Sequence, residues 1–248
     1  YLVYRDYSSG LLGTNLAPAE IQAKTDTFVA YSAHDFTIGI NPPYDSYGHY
    51  LSWLARQYEI APPYVSIVTH DGPAAYWRLN EPGGLLVADL ILGVFGLIDG
   101  QPRFGVSGIP AESPNTAIHF TAASRQRMEA PFVAELNRNV FSVEVWARVT
   151  TPMPAYRSAV TSRAVGPLAG YILYATPANT WEFWSGSGSA TDWDIIRGPA
   201  IQTNTWEHLV AVYDGILKRF YVNGTLVGTS ASPFSTNTTK PLRLGAGA

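Results

Sequence analysis

The sequence of 248 residues contains no cysteine. Thiol catalysis, disulfide bridges and cysteine-ligated zinc are therefore excluded. Charge is also scarce, because aspartate, glutamate, lysine and arginine make up only 14% of the residues and the net charge is -3. Since no cluster of basic residues occurs, the sequence predicts no nucleic-acid partner.

The sequence has no long hydrophobic run either. Its longest apolar stretch, residues 84–98, is interrupted by Asp89, Gly93 and Gly96. A stretch of this length is too short to cross the hydrocarbon core of a bilayer. The sequence therefore predicts no membrane span, and no signal peptide is recognisable in it.

The sequence does contain short segments in which apolar and polar residues alternate. They are clearest in residues 76–81, 141–146 and 205–215. A period of two is typical of strands with one face buried and the other in water. In residues 206–213, apolar side chains occupy both faces, which predicts an inner strand covered on both sides. The 22 glycines and 18 prolines favour short strands joined by turns.

Two dipeptides mark turns near the end of the chain. Asp214 and Gly215 end one alternating segment, and Asn223 and Gly224 lie in the middle of another, residues 220–227. An Asn-Gly pair tolerates positive φ at both central positions of a two-residue turn. Residues 220–227 are therefore predicted to form a β-hairpin.

The order of these motifs resembles the laminin-G-like branch of the concanavalin A-like lectins and glucanases. The resemblance covers about residues 65–248, with residues 76–81 as the opening strand, 116–120 as the next core strand and 170–174 as a later one. It implies an all-β fold, a two-sheet antiparallel jelly-roll sandwich. Domains of this type occur in bacterial surface proteins and phage virion proteins. The fold also hosts lectins and hydrolases, so it leaves the function open.

The C-terminal end of the chain departs from this family. Family members continue past the strand that resembles residues 241–245 into one more core strand, whereas this sequence stops at Ala248. An open slot beside residues 76–81 would leave an unpaired strand edge, which native proteins avoid. We therefore expect the natural chain to continue. The alternative is a strand donated by the N-terminal segment or by a neighbouring copy.

Residues 1–64 do not resemble the family and are predicted to form a mixed, partly helical extension. This segment is rich in aromatic residues and has too little aliphatic content for a core of its own. Tyr47, Leu51, Leu54 and Tyr58 recur at helical spacing and are predicted to form an assembly interface. Its partners would be other copies of the chain or neighbouring structural proteins. The alternative is an extension folded back on its own domain.

The chain lacks the catalytic pattern of the family's glycosidases, a Glu-x-Asp-x-x-Glu strand that places carboxylates on one face of a sheet. The nearest candidates, Glu144 and Glu207, each stand alone and are predicted to be solvated outer-face residues. His208 is predicted to face the core with its ring nitrogens hydrogen-bonded. No His-x-His pair, serine elbow or phosphate loop occurs, so we predict no enzyme and no catalytic residue.

Calcium is the cofactor that the resemblance leaves open. Asp89 matches an acidic position after the family's opening strand, and many relatives hold calcium in loops at the sandwich rim. Here residues 90–93 replace the usual Ser-Gly or Asn-Gly. Because calcium requires several oxygens together, Asp89 is interpreted as a turn aspartate. No metal is predicted, and Asp89 is the candidate ligand if calcium is bound.

Residues 181–194 contain the best candidate for a ligand site. Trp181 and Phe183 are predicted to face the core, which places Trp184 on the opposite face. A Gly/Ser-rich loop then leads to a further indole between two carboxylates. Exposed indoles stack on the apolar face of a sugar, and carboxylates accept its hydroxyl protons. The predicted glycan-binding residues are Trp184, Asp192, Trp193 and Asp194. Alternatively, these tryptophans cover the sandwich or an interface.

These features predict a non-enzymatic recognition or structural module located outside the cell or on a virion surface. The N-terminal extension would anchor it, and the exposed jelly roll would bind a surface glycan. The alternative is a secreted carbohydrate-binding module attached to, or degenerate from, a glycoside hydrolase. The predicted domains are an extension over residues 1–64 and a jelly roll over residues 65–248 that lacks its last strand.

Overall fold

The computed structural model describes residues 63–109, 115–152 and 154–245. The chain divides into two units, residues 1–71 and 72–248.

The described residues of the first unit form one helix, α1 (Pro63–His70). It begins at a proline, which fits the first turn of a helix because its missing N–H would have no partner there. The helix predicted around residues 47–58 lies outside the described residues. No described helix is long and apolar enough to cross a membrane.

The described residues of the second unit form fourteen strands, numbered β1 to β14 in chain order, and the neighbouring strands pair antiparallel. The larger sheet has eight strands in the spatial order β1 (Leu86–Val87), β2 (Gly96–Asp99), β5 (Arg127–Ala130), β14 (Leu242–Leu244), β7 (Arg157–Val165), β8 (Leu168–Ala175), β9 (Thr180–Gly186) and β10 (Trp193–Ala200).

A four-stranded sheet forms the second layer, in the order β13 (Thr225–Ser230), β12 (Lys218–Val222), β11 (Glu207–Tyr213) and β6 (Phe141–Ala147). A small sheet pairs β3 (Arg103–Ser107) with β4 (Thr116–His119). The predicted all-β, two-sheet antiparallel sandwich is therefore confirmed.

The core lies between the two larger sheets, and both supply large apolar side chains to it. Phe183 of β9 packs against Phe220 of β12 with ring centroids 6.1 Å apart. Phe141 of β6 stacks on Tyr171 of β8 at 4.9 Å. These pairs join the layers, because each ring buries a large apolar area that neither sheet could bury alone.

The predicted hairpin is confirmed at β12 and β13. Asn223 and Gly224 form its turn, with φ angles of 50° and 77°. Positive φ at both positions matches the twist of the flanking strands. Asn223 also accepts a hydrogen bond from the backbone N–H of His208 through Oδ1, at 2.8 Å, and so ties the turn to β11.

The predicted opening strand over residues 76–81 is wrong. The structure has a single bridge there, between Trp77 and Asp89. Leu79 adopts a φ of 59°, which breaks the extended conformation that a strand requires. The alternation was nevertheless informative about burial, since Trp77 and Leu79 both pack against the core.

The predicted coverage of β11 on both faces is also wrong. Leu209 and Ala211 are fully buried towards the core, whereas His208 and Val210 lie half-buried on the outer face. Side chains of the outer face contact those of the neighbouring strand. His208, for example, stacks on Trp146 of β6 with ring centroids 4.8 Å apart. His208 therefore does not face the core as predicted.

Candidate functional site

The candidate site lies on the outer face of the larger sheet, at strands β8 to β10. Because Phe183 faces the core, its neighbours Glu182 and Trp184 face outwards. The strand register places Glu182 between Tyr174 of β8 and Arg197 of β10. It also places Trp184 between Ile172 and Ile195, so aromatic, apolar and charged side chains alternate across this surface.

Four rings form a continuous cluster on this face, which we call the aromatic cluster: Tyr156, Tyr174, Trp184 and Trp193. Trp184 is its centre, with ring centroids 5.5 Å from Tyr156, 5.3 Å from Tyr174 and 6.4 Å from Trp193. The first two contacts are edge-to-face, which the ring quadrupoles favour. Trp184 and Trp193 are half-buried and Tyr156 is exposed, whereas Tyr174 is buried, so the accessible part of the cluster consists of Trp184, Trp193 and Tyr156.

Polar contacts fix the orientation of the rings. The indole Nε1 of Trp184 donates to Glu182 Oε2 at 2.7 Å, and Arg197 Nε lies 3.5 Å from Glu182 Oε1. On the other side, Arg163 Nη1 donates to the hydroxyl of Tyr174 at 3.0 Å. Burial raises the pKa of Tyr174 despite the opposing charge of Arg163, so the hydroxyl is neutral at physiological pH.

The structure brings together two of the four predicted glycan-binding residues. Trp184 and Trp193 share one face, while Asp192 lies exposed in the preceding loop and accepts a hydrogen bond from the hydroxyl of Thr191. Asp194 instead faces the interior of the sandwich, where it lies 2.6 Å from Lys218 Nζ. The four side chains therefore do not form one surface.

Sequence reasoning missed Tyr156, Tyr174, Glu182 and the two arginines of this face. Glu182 could have been found, because it lies two residues before Trp184 on the same strand and so shares its face. No sequence signal marked Tyr156, which precedes β7 and reaches the cluster through the folded chain.

The two candidate carboxylates of the four-stranded sheet lie on opposite faces of it. Glu207 is 2% exposed and points inwards, contrary to the predicted solvated position. Its Oε2 accepts hydrogen bonds from Trp181 Nε1 at 2.9 Å and from the backbone N–H of Gln202 at 3.1 Å. Glu144 points outwards, 3.4 Å from His208 Nε2, as expected for an outer-face residue. The pair cannot flank one glycosidic bond.

Both oxygens of Asp89 are engaged by the backbone. Oδ1 accepts from the N–H groups of Tyr76 at 2.7 Å and Ile91 at 3.1 Å, and Oδ2 from those of Leu92 at 3.0 Å and Val94 at 3.2 Å. These four donors organise the turn after β1. Within the described ranges, no three His, Asp or Glu residues are grouped closely enough to hold a metal ion.

The predicted interface residues Tyr47, Leu51, Leu54 and Tyr58 lie outside those ranges.

Comparison with known families assigns the fold. Residues 99–248 match the model of a family described as the concanavalin A-like lectin/glucanases superfamily. The chain belongs to this superfamily. The resemblance drawn from the strand and turn motifs is therefore confirmed. No curated protein is similar enough in sequence to match the chain.

Several solved structures are similar to this chain at low sequence identity. The binding domain of Paraclostridial Mosquitocidal Protein 1 is 11% identical, with a TM-score of 0.55, over 65% of this chain and 42% of that one. Domain 4 of an extracellular GH43 arabinanase from Geobacillus stearothermophilus, in complex with arabinotriose, is 18% identical over 65% of this chain and 87% of that one, with a TM-score of 0.44.

The carbohydrate-binding module CBM66 from Bacillus subtilis is 13% identical over 61% of this chain and 88% of that one, with a TM-score of 0.41. The structural neighbours thus include carbohydrate-binding modules and a toxin binding domain. At these identities the likeness concerns the fold alone. The chain spans less than half of the binding domain of the mosquitocidal protein.

Proposed function

We propose that this protein is a non-enzymatic recognition module that binds glycan on the aromatic cluster. The observation that carries the proposal is the contact of three rings with Trp184 on one outward sheet face. Indole and phenol rings present flat apolar faces on which the C–H face of a pyranose stacks. Rings held by packing also lose little conformational freedom on binding, which favours affinity.

The polar residues of this face give the surface a fixed shape. Glu182 holds the Trp184 indole through a 2.7 Å hydrogen bond, and Arg163 holds the Tyr174 hydroxyl. A preformed surface with a few placed polar groups is the usual construction of a site for a small ligand. The glycan would therefore meet rings that are already oriented.

The absence of catalysis is part of the proposal. It is supported by the placement of Glu144 and Glu207 on opposite faces of their sheet, and by the use of Glu207 as a buried hydrogen-bond acceptor. A hydrolytic assay over β-glucans and galactans should show no turnover. Robust turnover that Glu144→Gln or Glu207→Gln abolishes would contradict this part.

A glycan array tests the binding function. Wild type should bind at least one glycan saturably, and Trp193→Ala should weaken that binding roughly tenfold or more by removing a stacking surface. Trp206→Ala is the matched control, because Trp206 is another half-buried indole but precedes β11 of the other sheet. Both variants should keep the wild-type circular dichroism spectrum. Equal loss in both variants, or no binding by wild type, would contradict the proposal.

Two more specific roles are consistent with such a recognition module. In the first, the extension (residues 1–64) anchors the protein to other copies or to structural proteins on a virion or cell surface. Its aromatic density supports this role, because such side chains favour contacts between subunits. Deleting residues 1–60 should then convert an assembled species into a soluble monomer, as measured by light scattering. An unchanged size would favour the alternative, a secreted carbohydrate-binding module attached to, or degenerate from, a glycoside hydrolase.

A further inference from the structure

We infer that the glycan bound by the aromatic cluster is anionic, carrying a carboxylate or a sulfate group. This inference rests on the proposed function and deepens it. It follows from which polar groups of the face are already engaged and which still have hydrogen-bonding capacity.

The carboxylates of β9 and β10 have little capacity left to accept sugar hydroxyls, and exposed Asp192, which accepts from the Thr191 hydroxyl, lies in the loop before β10. Glu182 is 8% exposed, and its two oxygens face the Trp184 indole and the Arg197 guanidinium. Asp194 faces the other side of the sheet, against Lys218. A neutral sugar, which needs acceptors as well as donors, would find few acceptors on this face.

The accessible charge on the face is positive. The side chain of Arg197 is 74% exposed, and its contact with Glu182 uses Nε at a distance of 3.5 Å. A guanidinium carries five N–H donors, so its two terminal nitrogens can still donate. Paired terminal N–H groups match the geometry of a carboxylate or a sulfate.

Arg197 is also placed within reach of a sugar on the cluster. Trp184 pairs with Ile195, two residues before Arg197 on the adjacent strand. In an antiparallel sheet, such diagonal neighbours have Cβ atoms about 7 Å apart. A pyranose stacked on Trp184 can therefore direct an acidic substituent towards Arg197. Arg163 lies on the opposite side of Trp184, beside Tyr174.

The positive charge of this face is local, since the whole chain has a net charge of -3. General attraction between protein and polyanion would therefore not produce binding. Recognition would need the contact with Arg197, and it should weaken as salt concentration rises.

Isothermal titration calorimetry with three oligosaccharides of equal length tests the inference. The probes are a galacturonan, a sulfated galactan and a neutral galactan. We expect wild type to bind at least one anionic probe about tenfold more tightly than the neutral one, as a charge-assisted hydrogen bond would produce. The probe that binds identifies the anion as carboxylate or sulfate.

Three variants separate this contact from general charge. Arg197→Gln should remove the preference for the anionic probe. Glu182→Gln should strengthen it, because the neutral amide still accepts from Trp184 but no longer neutralises Arg197. Arg103→Gln is the control, since Arg103 is an exposed arginine on the small sheet and its loss changes the net charge equally. Melting temperatures should confirm that all three variants fold.

The outcomes distinguish the two proposals. If the neutral galactan binds as tightly as the anionic probes and Arg197→Gln changes nothing, the inference is wrong while glycan binding stands. If Arg103→Gln weakens binding as much as Arg197→Gln does, the contact is not specific and the inference is also wrong. If neither these probes nor any glycan on the array binds, the proposed function fails as well.

Discussion

Lys218 Nζ lies 2.6 Å from Asp194 Oδ2 and joins the two sheets of the sandwich. Lys218 is fully buried, and its ammonium also donates to Ser185 Oγ at 2.9 Å and to the backbone carbonyl of Pro233 at 3.1 Å. Its three N–H donors are therefore all used. Burial acts to raise the pKa of Asp194, but the hydrogen bond and charge of Lys218, together with hydrogen bonds from Ser230 and Ser232, outweigh it, and the pKa is lowered.

Replacing Lys218 tests this relationship. Lys218→Met should lower the free energy of unfolding by roughly 3 kcal/mol, because it leaves the partly buried Asp194 carboxylate without its charge partner. The double variant Lys218→Met with Asp194→Leu should recover part of that loss, since neither charge remains. Urea denaturation at neutral pH measures both. The single variant Asp194→Leu completes the comparison. If the loss of stability in the double variant equals the sum of the losses in the two single variants, the residues do not interact.

Glu207 should matter for stability. Glu207→Gln keeps a carbonyl oxygen for the Trp181 indole and should cost about 1 kcal/mol. Glu207→Ala leaves that buried indole N–H without an acceptor and opens a cavity, so it should cost about 3 kcal/mol. Urea denaturation of the two variants distinguishes these values. Equal losses would mean that the hydrogen bond contributes nothing.

Asp214 gives the stability a predicted dependence on acid pH. The backbone N–H of Leu217, then Arg219 and the N–H of Ile216, lower the pKa of Asp214 from 3.8 to about 2. A carboxylate whose pKa is lowered by folding stabilises the protein at pH values above the pKa it has in the unfolded chain. This contribution is lost as the pH falls through the pKa it has in the folded protein.

The variant Asp214→Asn checks this expectation. Wild type should melt at a higher temperature than the variant at neutral pH, and the difference should vanish near pH 2. Thermal melts followed by circular dichroism over a pH series give the comparison. A difference that is independent of pH would show that the ionised carboxylate is not responsible.

Asp89 should act without a metal. Asp89→Ala removes the acceptor of four backbone N–H groups and should destabilise the protein by about 3 kcal/mol. Since these donors already occupy both oxygens, a calcium chelator should leave the wild-type melting temperature unchanged. A chelator that lowers the melting temperature, with recovery on adding calcium, would contradict this.

The fold was predictable where its determinants are local. Alternation identified β6, β9 and β11, and the Asn223-Gly224 pair fixed the last hairpin. The predictions were wrong where a single backbone angle or a tertiary contact determines the local structure. The positive φ of Leu79 interrupts an alternating segment. The outer face of β11 is only half-buried, and its His208 stacks laterally on Trp146 of the neighbouring strand.

The candidate site was predictable only in part for the same reason. The face of Trp184 followed from the period of a strand. Which carboxylate shares that face depended on where β10 begins: Asp194 lies opposite Ser185 and turns inwards with it. The contributions of Tyr156 and Tyr174 depend on contacts between distant segments, which residue patterns do not encode.

The most direct test of the central claim is to observe the indole N–H signals of the seven tryptophans by NMR during titration with a bound glycan. Assignments would come from Trp→Phe variants. The signals of Trp184 and Trp193 should shift and saturate together, while those of Trp146, on the other sheet, and Trp206, just before β11, stay unchanged. Shifts confined to Trp146 and Trp206, or none at saturation, would show that the aromatic cluster is not the binding surface.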